Sequence, residues 1–169
     1  MIRIDIPATS ANLGSGFDSL GIALTMCNRV WMEEADELKI TTTDKIKVPT
    51  DETNLIYWAA RHLYQICGKT LPGLHIIQEN NIPMARGLGS SSACIVAGIL
   101  GANRMLGSPM SQSDLINLAA QIEGHPDNTS PAISGGLVAS AMEGKRVYSV
   151  SVPVSGKIGF AVMIPPFEL

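Results

Sequence analysis

The chain has 169 residues, of which 46% are hydrophobic and 16% charged, with a formal net charge of −3. This length supports one domain with a substantial core, the acidic balance offers no electrostatic footprint for nucleic acid, and no apolar run reaches the roughly 18 residues of a membrane span. Cys27, Cys67 and Cys94 are odd in number and lack metal-site spacing, which reads as buried structural thiols in a reducing cytoplasm.

Ile2, Ile4 and Ile6 alternate with polar residues and predict a half-buried strand over residues 2–6, ended by Pro7. It lacks the apolar core of a signal peptide. Residues 7–18 form a loop of small residues in which Asn12 and Asp18 flank the glycines. Two readings stay open there: a turn in which Asn and Asp bond local backbone, or a substrate-facing loop in which Asp18 meets a cation. Arg29–Glu34 and Leu38–Thr43 predict a hairpin turning at residues 35–37. Asn54 caps a predicted helix running to Cys67, with Leu55, Ala59, Leu63 and Ile66 as its apolar stripe and Gly68 as its stop. Trp58 and Tyr64 on that helix read as packing residues, and Leu74–Glu79 as a strand.

Ile82-Pro-Met-Ala-Arg-Gly-Leu-Gly-Ser-Ser-Ser-Ala93 follows, and organises the chain. Gly87 and Gly89 open backbone conformations costly to other residues, and Ser90, Ser91 and Ser92 stand where a helix must begin, offering caps and free N–H groups. A glycine-rich turn feeding a helix N-terminus is an anion site, so the stretch reads as a phosphate cradle. A flexible Gly/Ser linker fits less well, because the next residues, Ala93 to Leu106, carry only Arg104 as a charge. The Lys-Ser/Thr pair of a Walker A loop is absent, and G-x-G-x-x-G fails at its third glycine.

The helix after the loop carries Ala93, Ala97, Gly98, Gly101 and Ala102, a narrow stripe that lets another backbone approach, and ends at Gly107. Each interior glycine costs about 1 kcal/mol against alanine, so a close contact is expected in return. Ser111 and Asp114 predict a capping box, with Leu115, Ile116, Leu118, Ala119 and Ile122 as the apolar face and Gly124 as the stop. Glu123-Gly-His125-Pro-Asp127-Asn128 then concentrates four functional side chains at a helix end, which reads as an active-site loop. Leu137–Met142 and Arg146–Val152 predict a last hairpin around residues 143–145. Ile158–Ile164 reads as a buried strand, and the stop at Pro165-Pro-Phe-Glu-Leu169 suggests a chain cut between domains.

Three stretches together resemble the GHMP kinases, and within them the homoserine kinases. Pro7–Asp18 (PATSANLGSGFD) is similar to the usual PATSANLGPGFD, with Ser15 in place of proline. Pro83–Ala93 is similar to the shared PxxxGLGSSSA loop. Glu123–Asn128 (EGHPDN), with Pro131-Ala132-Ile133 and Gly135-Gly136, is similar to the third motif. The resemblance implies an α+β fold, a ribosomal-protein-like two-layer domain with a left-handed βαβ crossover. Residues 1–169 would form the N-terminal, ATP-binding domain, and a second, ferredoxin-like domain lies outside this chain.

The same resemblance implies ATP and Mg²⁺, with L-homoserine phosphorylated in threonine biosynthesis and a homodimer as the assembly. Pro83, Met84, Ala85, Arg86, Gly87, Leu88, Gly89, Ser90, Ser91, Ser92 and Ala93 would hold the ATP phosphates. Ser91 and Glu123 would ligate the metal; relatives often place the metal glutamate further upstream, where Asn117 stands here, so either a short deletion brings Glu123 into place or the metal relies on phosphates and water. Asp18 would meet the substrate ammonium beside Asn12. Asn128, where mevalonate kinase has a catalytic aspartate, would orient the hydroxyl, with His125 and Asp127 lining the pocket. Other readings are another small-alcohol kinase of this family and a non-catalytic nucleotide- or RNA-binding module.

Overall fold

The computed structural model describes residues 1–164. Its strands β1 (Ile2–Ala11), β2 (Leu20–Glu34), β3 (Lys39–Thr42), β4 (Leu74–Glu79), β5 (Leu137–Glu143) and β6 (Arg146–Val152) form one sheet in the order β3-β4-β2-β5-β6, with β1 also paired to β2. Four helices join them: α1 (Leu55–Ile66), α2 (Ser90–Met105), α3 (Gln112–Glu123) and α4 (Thr129–Ser134). The even-numbered residues Ile6, Val30, Met32, Ile40, Leu74 and Ile76 share one core with residues of α1, α2 and α3. One sheet face is thus covered by helices, giving the expected two-layer α+β architecture.

Helix ends follow local chemistry. Asn54 Oδ1 accepts the Ile56 and Tyr57 N–H groups at the start of α1. Ser111 and Asp114 close both halves of the capping box on α3, and Gly124 ends that helix at φ +98°. The small-residue stripe of α2 is buried. A Cβ on Gly98 would fall 2.3 Å from the Ile56 carbonyl oxygen of α1, and one on Gly101 would fall 2.3 Å from Met32 Sδ in β2.

Several expectations give way. Pro7 does not end β1: the strand continues to Ala11 through an irregularity between Pro7 and Thr9, tolerated because, among the described residues, β1 pairs only with β2 and an edge strand can lack one donor. β2 begins at Leu20, nine residues before the expected start at Arg29. No hairpin joins it to β3, because β4 lies between them, antiparallel to β2 and parallel to β3; β3–α1–β4 is the parallel crossover. On α1 the buried side is Ile56, Ala59, Ala60, Leu63 and Tyr64, whereas Leu55 and Ile66 are exposed. Trp58 is 44% exposed and stacks on His62, one turn away. The three cysteines are half-buried free thiols. Residues 158–164 are exposed and form no strand, since no neighbour pairs with them; their Phe160, Val162 and Ile164 instead line a cavity of about 410 Å³ with Ile22, Leu24 and Leu88. The expected stop at residues 165–169 lies outside the described residues.

Candidate functional site

The glycine loop enters the molecule from a buried anchor. Asn28 Oδ1, on β2, accepts the Asn81 and Ile82 N–H groups at 2.7 and 2.8 Å. Ala85, Gly87 and Gly89 then take positive φ angles of 53°, 67° and 64°, and Arg86 Nη1 donates to the Ala85 carbonyl. Leu88 turns into the core, and its carbonyl accepts the Thr9 N–H from β1 at 3.1 Å.

The cap of α2 is Gly89, not a serine, and no side chain bonds the first turn from that position. Ser90, Ser91 and Ser92 stand inside that turn, which holds no acidic residue. The leading N–H groups of a helix have no intrahelical partner, and this end carries the positive pole of the dipole. Ala93 differs from its neighbours in the loop: its N–H already donates to the Gly89 carbonyl at 2.8 Å, and its side chain is buried.

Two cavities open beside this turn. One, about 300 Å³, is lined by Lys47, Pro49, Asn54, Met84, Ser90 and Cys94 among others. The second, about 380 Å³, shares Thr53, Leu55 and Ser91 with it and adds Trp58 and Glu123. Burial, aided by the charge of Glu123, pushes the Cys94 thiol up to about 11. The sequence reading passes over Lys47 and Pro49, whose only signal is position in the β3–α1 connection, and it takes Trp58 for a packing residue, whereas Trp58 on α1 is half-exposed and lines this second cavity.

Two functional clusters touch the first turn of α2. Ser92 Oγ donates to Glu123 Oε1 at 2.8 Å, so Glu123, at the last turn of α3, faces this helix end. Asn117 does not: its Oδ1 accepts the Val147 N–H and ties α3 to β6. Among the described residues no three His, Cys, Asp or Glu side chains gather into a metal-binding group. One carboxylate and serine hydroxyls form an all-oxygen donor set, which fits a hard cation such as Mg²⁺ that takes its other ligands from phosphates and water.

The second cluster is built by the turn from α3 into α4. Asp127 is fully buried; its Oδ1 is hydrogen-bonded to His125 Nδ1 and accepts from Asn128 Nδ2 at 3.3 Å. Thr9 Oγ1 donates to Asn128 Oδ1 at 2.7 Å. A Cβ on Gly89 would fall 2.0 Å from that Thr9 hydroxyl and 3.1 Å from that Asn128 oxygen. The cluster therefore sits against the cap of α2. Asp127 Oδ2 and Ser130 Oγ are buried there without a hydrogen-bond partner among the described residues.

Asn12 and Asp18 meet each other on the exposed loop between β1 and β2, where Asn12 Oδ1 accepts the Asp18 N–H at 2.8 Å. Both take positive φ, 59° and 52°, a conformation Asn and Asp tolerate better than most residues. β2 links this loop to the second cluster, because a Cβ on Gly21 would fall 1.8 Å from the Asp127 carbonyl oxygen. Asn12 thus does the local job of a turn residue, while the carboxylate of Asp18 stays exposed.

Known proteins are similar to this chain in sequence and in fold. The GHMP kinases N-terminal domain matches residues 54–136. A homoserine kinase of Clostridium botulinum (strain 657 / Type Ba4) is 44% identical over 171 aligned positions, covering 100% of this chain and 57% of the relative. One from Caldicellulosiruptor bescii is also 44% identical, covering 100% and 56%. The crystal structure of homoserine kinase from Cytophaga hutchinsonii superposes with a TM-score of 0.78 at 31% identity, over 91% of this chain and 52% of that one. The chain spans about 57% of the length of the curated relatives it matches. The family model and these likenesses point the same way: the chain carries a GHMP kinases N-terminal domain over residues 54–136.

Proposed function

We propose that the protein carrying this chain is a homoserine kinase, which transfers the γ-phosphoryl group of ATP to the hydroxyl of L-homoserine and gives O-phospho-L-homoserine for threonine biosynthesis. One observation carries the reading: the uncapped first turn of α2 is touched by Glu123 at Ser92 and adjoined by the Asn128 amide at Gly89. A triphosphate on those N–H groups would have a metal carboxylate on one side and an amide for the acceptor hydroxyl on the other. The 44% identity to homoserine kinases across the whole chain favours homoserine over other alcohols of the family.

Phosphoryl transfer asks the protein mainly for positioning and charge neutralisation. The backbone from Pro83 to Ser92 would cradle the phosphates, with the nucleoside in the cavity beside Lys47 and Met84. Ser91 and Glu123 would hold Mg²⁺, which when bound neutralises charge on the phosphates. Asp18 would pair with the substrate ammonium, with His125 and Asp127 lining the acceptor side. An amide is no base at neutral pH, so Asn128 orients the hydroxyl, whose proton leaves late, to the phosphoryl group itself. Arginines for the substrate carboxylate would come from outside these residues. This reading makes residues 1–169 the N-terminal domain of a longer cytoplasmic, dimeric enzyme with no nucleic-acid or membrane partner; among the described residues no helix is long and apolar enough to cross a membrane.

The test is ADP release by the full-length protein with homoserine, mevalonate or shikimate as acceptor. Release above the acceptor-free rate is expected with homoserine alone. Asn128→Ala and Asp18→Ala should each lower kcat/KM by about 100-fold, the size of losing one positioned polar group at a transition state. Wild-type turnover by either variant would remove that residue from the site.

A further inference from the structure

Nothing in the reaction assigned above uses Thr9, yet its side chain is fully buried against the site. Regular alternation along β1 would turn Ala8 and Thr9 to opposite faces. Both are 0% exposed, because the register shift between Pro7 and Thr9 breaks the alternation there; such irregularities re-aim side chains. The re-aimed hydroxyl meets Asn128 Oδ1 at 2.7 Å, and its backbone N–H meets the Leu88 carbonyl of the glycine loop.

We propose that Thr9 is a positioning residue that, with Asp127, fixes the Asn128 carboxamide in one orientation, so that it offers the acceptor hydroxyl an N–H donor and no acceptor. The argument is one of polarity. Asp127 Oδ1 accepts, so the Asn128 edge facing it at 3.3 Å has to be the NH₂ group. The opposite edge, the oxygen, then faces Thr9, whose hydroxyl has to donate. A flipped amide would set its oxygen against a carboxylate oxygen and leave the Thr9 hydroxyl facing an NH₂ group. The carboxamide oxygen is occupied by Thr9 and closed in by the Gly89 backbone. One Asn128 N–H remains for substrate. A hydroxyl that accepts from Asn128 keeps its own proton free to point at the phosphoryl oxygens, which is where a reaction without a protein base has to send it.

This inference rests on the kinase reading, and its test keeps the two apart. Wild-type full-length protein that releases no ADP with homoserine refutes the reading itself. With wild type active, Thr9→Val, which removes the hydroxyl at nearly constant shape, should lower kcat about tenfold or more, the scale of one lost hydrogen bond to a reacting group, while KM for ATP stays within about twofold and the thermal midpoint within a few degrees. Thr9→Ser should restore kcat to within about threefold. Asn128→Asp, which supplies acceptors only, should be as inactive as Asn128→Ala. Thr9→Val at wild-type kcat, failure of Thr9→Ser to rescue, or activity retained by Asn128→Asp would each overturn the proposal. Should Thr9→Val fail to fold, ¹⁵N-resolved NMR of the wild-type protein decides instead. The Asn128 side-chain NH₂ signals should be slow to exchange, and a freely exchanging, rotating amide refutes the lock.

Discussion

Gly89 has to be glycine for two separate reasons. Its φ of +64° lies in the left-handed region, which costs a residue with a Cβ about 1 kcal/mol. A Cβ there would also fall 2.0 Å from Thr9 Oγ1, a hydroxyl held on both sides by β1 and Asn128. Gly14, with φ +59° and nothing within 4 Å, faces the first problem only. Gly89→Ala should therefore destabilise by about 2–3 kcal/mol and Gly14→Ala by about 1 kcal/mol. Denaturant melts of the two variants measure this, and equal losses would show that the contact with Thr9 is not tight. Gly21 makes the same point without positive φ. Its missing Cβ leaves room for the Asp127 carbonyl, and so holds α4 close enough to β1 for Thr9 to reach Asn128.

At the scale of elements, legibility follows from where the information is local. Asn54, the Ser111–Asp114 box and the glycines at 68 and 124 carry their helix boundaries in single side chains, so α1 and α3 could be read to within a residue. The hairpin of β5 and β6 is local too, turning at Gly144 with φ +59°. Strand pairing is different. Alternation along residues 29–34 and 38–43 says that both are strands, but not that β4, more than thirty residues on, enters between them. α4 escaped notice because six residues with Pro131 inside make no periodic signal. The site divides the same way: the glycine loop and EGHPDN stand out as composition, whereas Thr9 becomes visible only once the β1 irregularity turns it inward.

The α3 box also makes a pH-dependent contribution. Hydrogen bonds from the Ser111 hydroxyl and backbone hold the Asp114 carboxyl below its ordinary value. A carboxylate depressed in the folded state stabilises the fold above its unfolded pKa and loses that contribution as pH falls through the folded value. Wild type should thus exceed Asp114→Ala in urea-melt stability at neutral pH, and the gap should shrink steadily below about pH 4. A gap independent of pH would mean that the charge plays no part in the cap.

The candidate site gathers at the N-terminal end of α2, a separate cavity opens elsewhere, and this division can be tested. The cavities meeting at Ser91 lie at the helix end, whereas Phe160, Val162 and Ile22 line a cavity against β2 that shares only Leu88 with the glycine loop. A ligand that binds the folded state alone raises stability by about 2.7 kcal/mol at 100 times its Kd. For a chain of this size that is about 5–10 °C in thermal midpoint. ATP with Mg²⁺ should produce such a rise. Gly89→Ala, which closes the cap on which the phosphates would rest, should lose most of it. Asn128→Ala should keep it, because on the proposed reading that amide would face the acceptor and not the nucleotide. Phe160→Ala should keep it as well, since its cavity lies outside the phosphate cradle. The pattern across the three variants is the informative result: a midpoint rise that survives Gly89→Ala but disappears in Phe160→Ala would move the nucleotide to the β2 cavity and leave the α2 N-terminus without its assigned ligand.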